Sequence, residues 1–265
     1  MERQIEIIDD TTIPEELLGV VRVGLEQLPE SIKLALAEEA DLNWYLESQA
    51  VYNEQSPLHA IFCRIVESLK EYQIICYHNT RLCHPESIIE KGLIFSREDY
   101  WNNLLQSMRE NGIPEKEIEE VVPKIRHEMD RHGEMGENRR IDSVCYFNSP
   151  FLISKFDKFL AIFGGEFIEF ALSCEGKKYE NLMRLGKPYT VKFALPYLEL
   201  GEYQCKDIAK YIIKYAVEKY LCGCDDKIEY EGILFQEVKP EYIIELQETN
   251  CDLSDIYDYF FGEEI

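Results

Sequence analysis

The sequence has no run of about 18 apolar residues, so no transmembrane helix is expected. Basic residues are scarce, with 28 Lys+Arg against 51 Asp+Glu and a net charge of −23. Such a surface suits a nucleic acid poorly, because nucleic-acid binders usually carry a basic face. Only a local basic strip would escape this, and the candidates are Lys124–Arg131 and Arg139-Arg140. The bland reading of these clusters is an ordinary charged helix. The opening MERQIEIIDD lacks a basic stretch followed by an apolar one, so no signal peptide and a cytoplasmic location are expected. The nine cysteines are odd in number and irregular in spacing, which suggests reduced thiols. Cys222-Gly-Cys224 is not the usual Cys-x₂-Cys pairing and no second pair exists, so no metal is expected. There is no internal repeat and no low-complexity segment.

What is present supports a core. Of 265 residues, 46% are hydrophobic and 12% aromatic, enough to exclude global disorder. The patterns predict an α+β protein in three regions: helical residues 1–70, a mixed domain over 71–250, and an acidic, aromatic tail over 251–265. In the first region, Thr11-Thr12-Ile13-Pro14-Glu15-Glu16 predicts a Thr-capped helix start. Further helices are expected over 31–47 and 57–70. Residues 1–50 hold 12 acidic and 3 basic side chains, a solvated face or an interaction surface.

In the second region, Tyr72–Tyr77 predicts a strand and Pro85–Lys91 a short helix stopped by Gly92. Residues 97–140 are charged, lack a strand pattern and predict a helical insert, with a helix at 114–131. Strands are expected at 143–147, 165–172, 188–195, 232–236 and 242–246, with a helix at 203–221.

Three blocks carry possible chemistry. In Tyr77-His78-Asn79-Thr80 the histidine leaves a strand, where its ring can donate to a ribose hydroxyl. Taken alone, such a histidine reads first as a surface or structural one. In Ser143-Val144-Cys145-Tyr146-Phe147-Asn148, followed by Ser154-Lys155-Phe156, an aromatic face can lie on a flat, cationic heteroaromatic ring, worth about 0.5–2 kcal/mol. Strand alternation sends one of Tyr146 and Phe147 into the core in either case. In Glu229-Tyr230-Glu231-Gly232 a carboxylate at a strand entrance can stabilise a developing oxocarbenium cation. The plain alternative is two exposed carboxylates in a turn.

Together the blocks resemble the ADP-ribosyltransferase superfamily, in its histidine–tyrosine–glutamate branch. The residues that carry the resemblance are Tyr77-His78-Asn79-Thr80 with Gly92-Leu93, then Cys145-Tyr146-Phe147-Asn148 with Ser154-Lys155-Phe156. Glu231 follows, with Pro240-Glu241-Tyr242-Ile243 nine residues on. It spans residues 72–246. It implies a split β-sandwich core that binds NAD⁺ as substrate and needs no metal. It further implies that His78 bonds the adenosine ribose, with Asn79 and Thr80 beside it, and that backbone at 78–79 holds the nicotinamide amide. Tyr146 would stack on the nicotinamide ring, with Phe147, Ser154 and Phe156 contributing to the site. Glu231 would bond the 2′-hydroxyl of the nicotinamide ribose, and Glu229 would orient or deprotonate an acceptor. The implied reaction is a single transfer of ADP-ribose to a macromolecule, with a protein favoured over nucleic acid by the charge. The implied contexts are toxins, injected effectors or phage-conflict enzymes. Hydrolysis of NAD⁺ on the same fold and a catalytically dead interaction protein are the alternatives. Asn79 where glycine is common, Phe156 for a second serine, and the insert over 97–140 depart from the family's pattern.

Overall fold

The structure, a computed structural model, describes residues 3–94, 97–133, 143–150 and 158–249. The acidic tail over 251–265 therefore lies outside the described residues, as do Ser154, Phe156 and Arg139-Arg140. The protein is α+β, as the patterns predict. Its strands are β1 (Arg3–Ile5), β2 (Tyr72–Leu82), β3 (Val144–Phe147), β4 (Lys187–Pro196), β5 (Glu231–Leu234) and β6 (Ile243–Glu248). They form one six-stranded sheet in the order β5-β3-β2-β4-β6, with β1 paired to β2 in parallel. β4 and β6 run antiparallel, with a register shift between Lys192 and Phe193. By contacts the chain divides into two compact units. One contains Met1–Cys76, Phe147–Ser149 and Ala194–Gly232; the other contains Tyr77–Tyr146, Pro150–Phe193 and Ile233–Ile265.

The first unit is built on helices α1 (Glu15–Glu26), α2 (Glu30–Glu38), α3 (Leu42–Leu46) and α4 (Pro57–Leu69). The stripe of Leu17, Leu18, Val21 and Leu25 on α1 is buried, as is that of Leu58, Ile61, Phe62, Ile65 and Leu69 on α4. Both pack on α11 (Glu202–Val217), whose Ile208, Ile212, Ile213 and Ala216 face inward. The helix expected over 31–47 is two short ones. Asp41 restarts the chain by accepting from the Trp44 N–H at 3.0 Å. The expected Thr cap on α1 is not made. Thr12 Oγ1 instead accepts from the N–H groups of Ile8 (3.3 Å) and Asp9 (3.1 Å), and Pro14 occupies the cap position.

Asn148 holds this unit's loops together. It is 2% exposed. Its Nδ2 donates to the carbonyls of Ile7 (2.5 Å) and Ile228 (2.9 Å), and its Oδ1 accepts from the Tyr230 N–H at 2.9 Å. Its own N–H donates to the Tyr230 carbonyl at 3.1 Å.

In the second unit the described part of the insert is helical, as the pattern predicts. It forms α6 (Arg97–Glu110) and α7 (Glu115–Gly133), whose Leu104, Met108, Ile118, Val121, Ile125 and Met129 make a core with the segment 161–183. That segment holds α9 (Glu166–Leu172), after α8 (Lys158–Ala161), and α10 (Glu180–Met183). The strand expected at 165–172 is thus α9. Its apolar residues can be read as alternating, but Ile168, Ala171 and Leu172 share one helical face and are buried, while Phe170 is exposed. Glu166 and Glu169 also favour the positive end of a helix. The basic cluster of α7 is engaged within the chain. Lys124 pairs with Glu175, Arg131 lies 3.6 Å from Glu128, and the Arg126 guanidinium sits 4.9 Å from the Trp101 ring centre.

The remaining helix of this unit, α5 (Glu86–Lys91), ends where expected, at Gly92. Gly92 has φ +80° and ψ −162°, a backbone region open almost only to glycine. A Cβ there would sit 1.8 Å from the Val238 carbonyl oxygen. The neighbouring Leu93 exchanges both backbone bonds with Val238, at 2.9 and 3.1 Å. Gly92→Ala is therefore expected to cost about 2–3 kcal/mol of stability, read as a lowered urea midpoint. An unchanged midpoint would show that the bridge to Val238 is not held this closely.

Candidate functional site

β2 does not end before His78, as the sequence suggests, but runs through it to Leu82. Asparagine is disfavoured in strands, so Asn79 reads as a break. Here its side chain is buried and its Oδ1 accepts from Thr190 Oγ1 on β4 at 2.8 Å. The alternation that buries Tyr77 and Asn79 leaves His78 and Thr80 partly open.

His78, Asn79 and Thr80 line a cavity of about 450 Å³ in the second unit. That is within the range of small-molecule sites. Gly92 and Leu93 also line it, as do Ser143, Val144 and Cys145 at the start of β3. The insert supplies a further wall through Tyr100, Asn103, Leu104 and Ser107. The Tyr100 hydroxyl donates to the Gly164 carbonyl at 2.7 Å, and burial pushes its pKa up, so it stays a neutral donor. Arg81 completes the frame. Its guanidinium donates to the carbonyls of Leu185 (2.7 Å), Leu160 (3.1 Å) and Arg184 (2.9 Å), which fixes the end of β2 against the entry to β4.

His78 Nδ1 lies 2.7 Å from the Cys145 carbonyl oxygen. A carbonyl can only accept, so Nδ1 carries the hydrogen. Burial lowers the ring's pKa, with the Cys145 bond opposing, and the neutral form is favoured. Its remaining lone pair is then on Nε2. The free ring nitrogen can therefore accept a hydrogen bond, where the sequence reading has the ring as a donor.

Other candidate residues lie elsewhere. Tyr146 is 1% exposed and packs edge-on against Phe193, with ring centres 6.4 Å apart. Phe147 is also buried, and neither is among the described residues that line the cavity. Glu229 and Glu231 belong to the first unit and are exposed on either side of buried Tyr230. The Tyr230 ring packs on Tyr211 at 5.2 Å. Burial first, then the Asp207 carboxylate, raise the Tyr211 pKa against the opposing charges of Lys210 and Lys214.

The chain matches no protein-family model, no curated protein and no solved structure. Sequence reasoning missed Arg81, Tyr100, Asn103 and Ser107. The only sequence signal for the last three was the helical spacing of Leu104 and Met108 in a stretch otherwise dominated by charge. Among the described residues, no group of three or more His, Cys, Asp or Glu side chains is placed to hold a metal ion. No helix among them is long and apolar enough to cross a membrane.

Proposed function

We propose that the protein is a mono-ADP-ribosyltransferase that cleaves NAD⁺ at the nicotinamide–ribose bond and passes ADP-ribose to a macromolecule. The observation that supports this is the cavity wall formed jointly by His78-Asn79-Thr80 and Gly92-Leu93, the two halves of the first family motif. The order β5-β3-β2 also sets the three motif strands side by side in the sheet. In this reading the neutral His78 accepts from a ribose hydroxyl through Nε2. Backbone groups of 78–79 hold the carboxamide. Glu231 bonds the 2′-hydroxyl and stabilises the cation formed as nicotinamide departs with the bonding electrons. An acceptor nucleophile, oriented by Glu229, then bonds C1′ and loses its proton. The −23 charge favours a protein acceptor.

The test is release of free nicotinamide from NAD⁺ by the purified protein, with and without a cell lysate as a source of acceptors. Release is expected in the wild type. His78→Ala is expected to raise KM about tenfold, the worth of one hydrogen bond, with kcat less affected. No release under either condition overturns the reading. The burial of the Tyr146 ring and the exposure of Glu231 favour a second reading, a catalytically dead acidic interaction protein, which is the outcome of a null result.

A further inference from the structure

The first unit contains an arrangement that the NAD⁺ reading does not use. His59 and Cys63 lie one turn apart on α4, at the i and i+4 positions that share a helix face. Cys63 is exposed, and its Sγ lies 3.3 Å from His59 Nε2. His59 Nδ1 lies 2.8 Å from the Ala50 carbonyl oxygen. Ala50 belongs to the π-turn Glu47–Val51, and helix ends leave their last carbonyls without an intrahelical donor. A carbonyl only accepts, so Nδ1 bears the hydrogen, and the tautomer this selects has its lone pair on Nε2. The Cys63 S–H therefore donates to Nε2. A nucleophile is thus bonded to a base, and the base is oriented by a third group, which is the logic of an activated thiol.

We propose that Cys63 and His59 form a reactive thiol site that undergoes exchange with low-molecular-weight disulfides, making Cys63 a point of reversible S-thiolation. The thiol proton passes to His59 Nε2, and the Cys63 thiolate attacks one sulfur of the small disulfide. A new S–S bond forms as the old one breaks. The departing thiolate takes the electron pair and recovers the proton from Nε2. Ala50 is a positioning group, because it holds the imidazole in the accepting tautomer. The site is independent of NAD⁺ cleavage, and its failure would leave that reading untouched.

A thiol that gives up its proton gains thiolate but loses some intrinsic nucleophilicity, so the expected advantage is about fivefold rather than orders of magnitude. The test incubates the full-length protein with oxidised glutathione at neutral pH and follows each adduct by peptide mapping. Cys63 is expected to react about five times faster than Cys174, which is also exposed. His59→Ala is expected to bring Cys63 down to the Cys174 rate, and dithiothreitol to restore the original mass. Equal rates at Cys63 and Cys174 in the wild-type protein would overturn the proposal, and this comparison needs no variant to fold. A folded His59→Ala protein that keeps the fast rate would overturn it equally.

Discussion

Asn148→Ala is expected to lower the unfolding free energy by about 4 kcal/mol, since each buried group left unsatisfied costs about 1–3 kcal/mol. The substitution strips the Ile7 and Ile228 carbonyls of their donor and the Tyr230 N–H of its acceptor. All three of those residues are buried, so little water reaches the abandoned groups. The size of the effect follows from convergence, as one amide ties its own position to two segments distant in sequence, at Ile7 and at Ile228–Tyr230. Asn148→Asp is a sharper control. It keeps the acceptor for Tyr230 but turns two donated bonds into a carboxylate facing two carbonyl oxygens. It should be at least as damaging at pH 7 and recover in part when acid protonates the carboxyl. Urea denaturation of the three proteins measures this, and a loss below about 1 kcal/mol for Asn148→Ala would show that the hub is dispensable.

Glu231→Gln is expected to slow nicotinamide release by about 10²–10³-fold, the usual worth of one preorganised electrostatic stabiliser. Glutamine keeps the shape and one hydrogen-bonding oxygen but removes the charge that would face the cation. The fall should therefore appear in kcat with KM little changed. Because Glu231 is exposed at the first residue of β5, its replacement should leave the fold intact. Glu229→Gln is the companion measurement. If that carboxylate serves the acceptor, it should reduce labelling of acceptor protein while nicotinamide release by hydrolysis continues. A Glu231→Gln protein with the wild-type release rate would remove the third motif from the chemistry.

Much of the architecture was legible because the signals were long. α1, α4 and α11 show apolar stripes over three or more turns, and burial of those stripes holds the first unit together. Gly92 was legible as a stop, although only the structure gives the stronger reason, the approach of the Val238 backbone. Short segments misled. At 165–172, apolar residues fit both periods, and the neighbouring α7 decided for a helix by offering a helical groove. At 78–82, an asparagine and charged or polar neighbours hid a strand that is kept by bonds from Thr190 and to Leu185. In the site, the residue types of the first motif pointed to the cavity wall. The burial of Tyr146 was not legible, because alternation sends Tyr146 and Phe147 to opposite faces of the sheet but cannot say that both faces are covered, as they are here, with Phe193 against Tyr146. Asn148 stands in the second motif only by its place in the sequence, and its tie to Ile7 and Ile228 is a purely tertiary fact.

The pairing of Leu93 with Val238 has a consequence for how the protein is made. The bridge joins residues far apart in the chain, so Leu93 is synthesised well before its partner. A nascent chain on the ribosome carries Gly92 and Leu93 with their edge bare until Val238 emerges. Domains generally fold from the N-terminus as they appear, but this bridge must wait. Premature termination between residues 93 and 238 would release a protein whose Leu93 has lost both backbone bonds to Val238, however well its early helices had formed.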